Sequence, residues 1–254
     1  MEEYSLDNSF FINASSGSKG SQLKYKFENK WFKIDTHGYE GIAESLACDI
    51  LEASNCHCYV KYHRCMINGR SGCYSENFLS EDEQLITFEN LYYMNTGRSL
   101  TEEIAKIQDV SERILFVKVM VQNYTGLDVS MYVDTLIALD FIIRNGDRHL
   151  NNMAVIASNE GYREAPVYDN GDAFFSSYQK FEPWLTLDEC MEKCTARPFS
   201  GSFHSQFSNI KNPLKIDYKY LMELLQKQAD SRGKQAALYL LNKYRNEFED
   251  KDLK

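Results

Sequence analysis

Residues 139–177 read LDFIIRNGDRHLNNMAVIASNEGYREAPVYDNGDAFFSS, and this stretch decides the fold. After an apolar run at residues 141–143 the chain breaks at Asn145-Gly146, places an acid at Asp147 and returns an amide five residues later at Asn152. Adjacent asparagine and glycine interrupt regular structure, because both tolerate backbone conformations that other residues avoid. The pattern predicts a helix that ends in a polar loop.

A short hairpin is expected directly after this loop. Residues 153–156 have the apolar character of a strand, Asn159-Glu160-Gly161 predicts a turn, and residues 165–168 predict the returning strand. That strand leads into Asp169-Asn170-Gly171. Helix, loop, hairpin and acid-x-glycine are therefore interpreted as one unit.

The order acid, amide, acid suits phosphoryl transfer. This chemistry needs an acid to orient the attacking hydroxyl and oxygen ligands that hold Mg²⁺ against the phosphates. The interval from Asp147 to Asn152 matches the catalytic loop of protein kinases, and Asp169 stands where their second metal-binding acid stands. We therefore predict Asp147, Asn152 and Asp169 as catalytic residues, Asn152 and Asp169 as metal ligands, and ATP with Mg²⁺ as cofactors.

The same motif resembles that of the HipA-like serine/threonine kinases, distant relatives of the phosphoinositide kinases. The resemblance rests on the N-x-D-x-H-x-x-N pattern at residues 145–152 and on Asp169-Asn170-Gly171, and it extends over most of the chain. It implies an α+β, two-lobed protein-kinase-like fold, with a small antiparallel β-sheet lobe at residues 1–80 and a mostly helical lobe at residues 81–254. The chain is similar to the minimal, kinase-only members, so no toxin–antitoxin role is carried over.

A loop of small residues, Ser15–Ser21, lies between two apolar stretches near the start of the chain. Such a loop lets backbone amides approach phosphate oxygens, although a Ser/Gly loop taken alone is more often a plain hairpin turn. The resemblance implies a phosphate-binding loop that is also an autophosphorylation site in some members. Ser15, Ser16 and Ser18 are then the candidate serines.

A lysine and a glutamate further along the chain are predicted to position the nucleotide. Lys33 lies within the strand pattern Lys30–Ile34, and Glu44 lies within the helix pattern Glu40–Ser54. Kinases pair a strand lysine with a helix glutamate, and the resemblance at residues 44–47 favours Glu44 over Glu40. The alternative for both residues is an ordinary solvated side chain. The predicted nucleotide-binding set is Ser16, Gly17, Ser18, Lys19, Gly20, Lys33 and Glu44.

The remaining patterns predict a sheet followed by helices. Further strands are expected at residues 59–78, with Asn68-Gly69 as a turn and residues 75–79 as the hinge that meets adenine. Ser111 and Asp128 are predicted N-caps, Asp140 a buried structural residue, and His149 a brace of the loop. Helices are predicted at residues 100–107, 110–124, 129–143, 217–226 and 231–248.

Composition narrows the partners and the compartment. The net charge of -9 and the pI of about 5.2 argue against nucleic acid or an anionic membrane as the main partner. No apolar stretch approaches the roughly 20 residues of a membrane span, and the acidic start does not resemble a signal peptide. The seven cysteines lack disulfide-framework spacing, so a cytoplasmic location is expected.

Four cysteines lie close together with two histidines and raise a zinc hypothesis. Their spacing lacks paired Cys-x-x-Cys knuckles, and ordinary buried thiols are the favoured interpretation. The six residues are Cys56, His57, Cys58, His63, Cys65 and Cys73.

The sequence thus favours an ATP- and magnesium-dependent protein serine/threonine kinase that autophosphorylates. A phosphoinositide kinase is the first alternative, but the acids Glu182, Asp188, Glu189 and Glu192 disfavour an anionic headgroup. A small-molecule phosphotransferase is a second alternative, because it uses the same acid-to-amide interval. A pseudokinase that binds ATP without turnover is the third.

Overall fold

The computed structural model describes residues 1–12 and 22–250. The first part of the chain forms a six-stranded sheet in the order β1-β5-β6-β4-β3-β2. Its pairs are antiparallel except β1 with β5 at one edge, which are parallel. The strands are β1 (Glu2–Tyr4), β2 (Phe11–Ile12), β3 (Lys24–Phe27), β4 (Lys30–Ile34), β5 (Tyr62–Ile67) and β6 (Arg70–Glu76).

The two faces of this sheet differ at strands β3 and β4, because one face is apolar and the other carries two lysines. Phe32 and Ile34 are buried with Tyr25 of β3 in one cluster. The lysine between them, Lys33, pairs in register with Lys24 of β3. Directly opposed residues of an antiparallel pair point to the same face, so both lysines lie on the face away from that cluster.

The first helix, α1 (Glu40–Glu52), lies between the sheet and the later helices. Its Ala43 and Leu46 are buried in the core shared with those helices, whereas Cys48 packs on the sheet side. The first turn of α1 lies so close to β6 that a Cβ on Gly41 would come within 2.8 Å of the Gly72 backbone. This close approach brings the inner side of α1 within side-chain reach of β4.

The rest of the chain is mostly helical, and its core is built around one buried helix. Helix α5 (Ser130–Ile143) is buried on all sides from Leu136 to Ile143, as expected of a helix in the centre of a domain. A three-stranded antiparallel sheet, β7 (Gln84–Thr87), β8 (Ala154–Ser158) and β9 (Gly161–Glu164), lies beside it. The helices are α2 (Phe88–Thr96), α3 (Leu100–Ala105), α4 (Val110–Thr125), α5 (Ser130–Ile143), α6 (Leu187–Lys193), α7 (Phe203–Phe207), α8 (Tyr218–Lys227), α9 (Arg232–Lys243) and α10 (Arg245–Phe248).

Several local predictions are wrong. The returning strand of the hairpin is β9, directly after the turn, and residues 165–168 form no strand because Pro166 has no N–H to donate. Helix α4 is capped by Asp109, whose side chain accepts from the Glu112 N–H, and not by Ser111. Helix α5 has no side-chain cap; Asp128 accepts from the Ser130 N–H at 2.9 Å. The single helix predicted at residues 231–248 is divided into α9 and α10.

The cysteines bear on the zinc hypothesis, and the lengths of the helices bear on a membrane span. Cys65 and Cys73 are fully buried, and burial raises the pKa of both thiols. Among residues 1–12 and 22–250, no group of three or more His, Cys, Asp or Glu side chains is placed to hold a metal ion. In the same residues, no helix is both long enough and apolar enough to cross a membrane.

Candidate active site

Lys33 contacts both helix α1 and the segment Asp169-Asn170-Gly171, which is called the Asp169 motif below. Its Nζ lies 2.7 Å from Glu44 Oε1 and 2.6 Å from Asp169 Oδ1, and it also donates to the Tyr62 hydroxyl at 3.3 Å. Glu44 is 1% exposed and Lys33 is 9% exposed, so the contact is shielded from water. The predicted pairing of Lys33 with Glu44 is present; its role in nucleotide binding stays a prediction.

Glu44 also holds the backbone of the Asp169 motif. Its second oxygen accepts the Asn170 N–H at 2.8 Å, while the Tyr62 hydroxyl accepts the Asp169 N–H at 3.3 Å. Asp169 adopts a left-handed φ of 60°, a conformation that aspartate tolerates better than most residues. These contacts orient the Asp169 carboxylate toward the sheet.

The charges at this junction shift one another's pKa values. Burial raises the pKa of Asp169, but the charges of Lys33 and Lys24 lower it by more. The pKa of Asp169 therefore lies well below its usual value. Burial lowers the pKa of Lys33, but Asp169 and Glu44 raise it well above its usual value. Burial raises the pKa of Glu44, and Lys33 only partly opposes this. Asp169 is therefore ionised and Lys33 protonated at neutral pH.

Arg148 connects the loop at residues 144–153, which is the predicted catalytic loop, to helix α5 and to the Asp169 motif. It is 1% exposed and forms a two-pronged ion pair with Asp140, with Nε to Oδ2 at 2.9 Å and Nη2 to Oδ1 at 3.0 Å. It also donates to the Tyr168 carbonyl at 2.7 Å and to Asn170 Oδ1 at 2.6 Å. Asp140 is thus the buried structural residue that the sequence predicts.

The loop between α5 and β8 is fixed largely by its own residues. The Asn145 side chain donates to Asp140 at 3.1 Å and accepts the Asp147 N–H at 3.1 Å. The Asn152 N–H donates to the His149 carbonyl at 2.8 Å, so His149 braces the loop through its backbone as predicted. The Asp147 side chain remains 46% exposed at the mouth of the site.

Two adjoining cavities meet at these residues. One, of about 220 Å³, runs between the sheet and the catalytic loop and is largely apolar, with Trp31, Phe78 and Tyr168 among its walls. The other, of about 110 Å³, is polar and opens beside Asp172. Four residues line both cavities and mark their junction: Lys24, Asp147, Asn152 and Asp169.

The architecture is similar to that of two solved structures. One is a proinflammatory kinase of Helicobacter pylori, CtkA, with a TM-score of 0.64 and 14% sequence identity over 97% of this chain and 94% of that one. The chain has a HipA-like kinase fold. The second structure is HipA of Shewanella oneidensis MR-1, in a complex with HipB and operator DNA, with a TM-score of 0.51 and 10% identity over 95% of this chain and 67% of that one.

The HipA-like fold confirms the α+β, kinase-like architecture and the resemblance that the 145–152 motif predicts. No protein-family profile matches the chain, and no curated protein sequence matches it. At 14% and 10% identity the likeness establishes the fold alone.

The donors at the junction of the two cavities suit Mg²⁺. Asn152 contributes an amide oxygen and Asp169 a carboxylate whose low pKa keeps it ionised. Mg²⁺ is usually bound by one or two side-chain oxygens together with water and substrate phosphates, and not by a protein-only cage. The donor set therefore fits Mg²⁺ held jointly with a phosphate-bearing ligand.

Within this HipA-like fold, the predicted site residues fall into two groups. The apolar cavity is lined by Lys33, Asp147, Asn152 and Asp169, and Glu44 lies behind Lys33. The predicted phosphate-loop residues, Ser16, Gly17, Ser18, Lys19 and Gly20, lie outside the described residues, as does Ser15.

Sequence reasoning missed three residues of the site: Lys24, Arg148 and Arg197. Lys24 could have been found from the strand alternation that places it and Lys26 on the face opposite Tyr25. Arg148 lies inside the motif but resembles any loop arginine in sequence. Arg197 is 50 residues from Asp147 along the chain, and no local pattern connects the two.

Proposed function

We propose that this chain is an ATP- and Mg²⁺-dependent protein serine/threonine kinase that phosphorylates itself. The observation that carries the proposal is Lys33, which is joined to Glu44 and Asp169 on the wall of a cavity that Asp147 and Asn152 also line. A lysine bound by a helix glutamate, an exposed acid and two oxygen ligands at one junction are the parts that phosphoryl transfer needs.

The two cavities suggest how the nucleotide lies. The apolar cavity suits adenine, with residues 75–79 as the hinge, and the junction beside Lys24 and Lys33 suits the phosphates. We propose residues 1–80 and 81–254 as the two lobes that enclose it. Mg²⁺ held by Asn152 and Asp169 would neutralise phosphate charge.

The exposed Asp147 is suited to the acceptor side of the reaction. Its carboxylate would accept a hydrogen bond from a serine or threonine hydroxyl and take the proton as the oxygen attacks the terminal phosphorus. Candidate acceptors on the chain itself are Ser15, Ser16 and Ser18. Asp147 is 46% exposed at the mouth of the site, which leaves room for an acceptor on a second protein.

The test compares wild type with Asp147→Asn and with Asp82→Asn, an exposed carboxylate away from the site. Each purified protein is incubated with ATP and Mg²⁺, and phosphate is located by intact-mass and peptide mass spectrometry. We expect phosphoserine or phosphothreonine in wild type and in Asp82→Asn, and at least a roughly hundredfold slower reaction in Asp147→Asn. Near-normal transfer by Asp147→Asn would refute the mechanism, and transfer only to a phosphoinositide or a small molecule would replace the protein acceptor.

A further inference from the structure

Arg197 lies on a loop that is held rigidly against the catalytic loop. The Gln206 side chain, 4% exposed, donates to the Arg197 carbonyl at 3.2 Å and accepts the Phe199 N–H at 3.3 Å. Arg113 of α4 donates to the Phe199 carbonyl at 2.8 Å, and the Phe199 side chain is fully buried. The backbone of Arg197 is therefore fixed before any substrate binds.

The same segment comes into direct contact with the loop that carries Asp147. A Cβ on Gly146 would lie 3.1 Å from the Thr195 carbonyl oxygen, so a larger residue at this position would crowd the approach of the two segments. Because both backbones are fixed at this distance, the Arg197 side chain has a defined origin from which to reach the site.

The Arg197 guanidinium points at the proposed catalytic acid. Its Nη1 lies 3.4 Å from Asp147 Oδ1, and the two side chains are 60% and 46% exposed. An ion pair this long and this exposed contributes little to stability. A guanidinium has five N–H donors in a planar fork, and the contact with Asp147 engages Nη1 only.

The distances place a transferring phosphoryl group within reach of these donors. An acceptor hydroxyl bound to Asp147 lies about 3 Å from the carboxylate, and the phosphorus it attacks lies about 3 to 3.5 Å farther on. The guanidinium is already 3.4 Å from the same carboxylate. Rotation of the long side chain is enough to bring Nη2 or Nε to a phosphoryl oxygen.

We propose that Arg197 is a further catalytic residue, which donates hydrogen bonds to the phosphoryl group during its transfer; this inference rests on the proposed kinase function. The acceptor oxygen forms a bond to the γ-phosphorus, and the bond from that phosphorus to the bridging oxygen breaks with its electron pair left on ADP. The hydroxyl proton goes to Asp147. Arg197 stabilises the charge on the equatorial oxygens, which is greatest in the transition state.

The experiment compares Arg197→Met and Arg197→Lys with wild type, with Arg98→Met as a matched exposed-arginine control. The rate of γ-phosphate transfer from ATP is followed as phosphoprotein plus free phosphate. For Arg197→Met we expect kcat to fall about a hundredfold or more, KM for ATP to stay within about threefold, and Arg197→Lys to lie between. Arg98→Met should match wild type.

Binding measurements separate a catalytic role from a structural one. Calorimetry in Mg²⁺ buffer compares a non-hydrolysable ATP analogue with ADP plus aluminium fluoride, which mimics the transferring phosphoryl group. We expect Arg197→Met to bind the ATP analogue as wild type does and to bind ADP–aluminium fluoride about a hundredfold more weakly, because only the second complex contains the transition-state charge.

Each result decides the inference. A wild type that transfers phosphate together with an Arg197→Met variant whose kcat is within threefold of it overturns the role of Arg197 and leaves the proposed function standing. Equal weakening of both nucleotide complexes in Arg197→Met overturns it as well. A wild type that transfers no phosphate to any acceptor overturns the proposed function and, with it, this inference.

Discussion

Lys33 is a buried cation between two carboxylates, and each of its contacts spans a different distance along the chain. Glu44 is 11 residues away and Asp169 is 136 residues away. Lys33 and Glu44 are buried and Asp169 is partly buried, which costs solvation that is recovered only while the charges are paired and hydrogen-bonded. The side chain therefore couples the position of α1 to the position of the Asp169 motif.

Removal of this cation should destabilise the protein more than removal of the cation and one anion together. We expect Lys33→Met to lower the free energy of unfolding at pH 7 by about 3 kcal/mol, because Glu44 and Asp169 are left buried and uncompensated. The double variant Lys33→Met/Glu44→Gln should lose clearly less. Urea denaturation of Lys33→Met, Glu44→Gln and the double variant measures the three losses, and a double variant that loses the sum of the two single losses would contradict the coupling.

At the residue scale, the sequence predicts the proposed catalytic residues better than the residues that hold them in position. Asp147, Asn152 and Asp169 follow from spacing, because the reaction restricts which side chains can stand there. Arg148 resembles any loop arginine in sequence. Its six side-chain hydrogen bonds, to Asp140, Asn152, Tyr168 and Asn170, depend on three segments that meet in three dimensions: α5, the loop of Arg148 itself, and residues 168–170.

Helix α1 carries two carboxylates, Glu44 and Asp49, whose surroundings differ. Glu44 faces the Lys33 junction. One turn farther on, Asp49 is half-buried and accepts a hydrogen bond from Gln228 at 2.8 Å. Burial raises the pKa of Asp49 from 3.8 to about 6, and the Gln228 hydrogen bond only partly opposes this.

The raised pKa of Asp49 predicts a pH-dependent cost to stability. The folded protein holds a proton on Asp49 more tightly than the unfolded chain does, so stability from this group is complete below pH 3.8 and is lost as pH rises through about 6. We expect Asp49→Asn to be more stable than wild type by about 1 kcal/mol at pH 8, a figure reduced for solvent screening. The gain should shrink at pH 5.

Urea denaturation at pH 5 and pH 8 tests this, with Asp82→Asn as the exposed control, which should give the same stability difference at both values. An Asp49→Asn variant that is less stable than wild type at pH 8 would contradict the assignment.

At the element scale, sequence patterns predict segments with a clear period and fail where two short elements of different period adjoin. Helices α1, α4, α5 and α8 were predicted within a few residues, because each repeats apolar residues over three or more turns. Strand β7 and helix α2 were not predicted, since four strand residues followed at once by a short helix mix two periods in one window. The predicted 165–168 strand is absent because Pro166 lacks the N–H that a paired strand needs.

At the scale of the whole molecule, the two adjoining cavities lie where the sheet meets the helical part, and Lys24 lies at their junction. Burial lowers the pKa of Lys24, Asp169 raises it, and Lys33 lowers it, with a net lowering. A phosphate chain at this junction would offset the repulsion between the two lysines. Nucleotide binding should therefore stabilise both parts of the fold together.

This coupling predicts a thermal shift that depends on Lys24. With a non-hydrolysable ATP analogue and Mg²⁺ at about a hundred times Kd, binding adds about 2.7 kcal/mol, which raises Tm by roughly 5 °C for a domain of this size. Lys24→Met should show a clearly smaller shift at the same ligand concentration, and the exposed Lys219→Met on α8 should match wild type. Differential scanning fluorimetry measures the shift; an equal shift in Lys24→Met would remove Lys24 from the phosphate site.

At this scale the sequence predicts the fold class, and the structure adds the long-range contacts. The sheet patterns followed by helical patterns predict a mixed α and β chain, and the resemblance carried by residues 145–152 and 169–171 implies its kinase-like form. The contact of Arg197 with Asp147 and the parallel pairing of β1 with β5 could not be predicted, because each depends on how distant segments are brought together and not on any periodicity within them.

The chain contains two tryptophans, and the structure places them in opposite surroundings. Trp31 lines the apolar cavity and donates to Asn77 at 3.2 Å, whereas Trp184 is 80% exposed. Replacement of Trp184 by phenylalanine would leave Trp31 as the sole indole fluorophore. Its emission would then report the arrival of an adenine ring directly, without a label, in stopped-flow or equilibrium titrations.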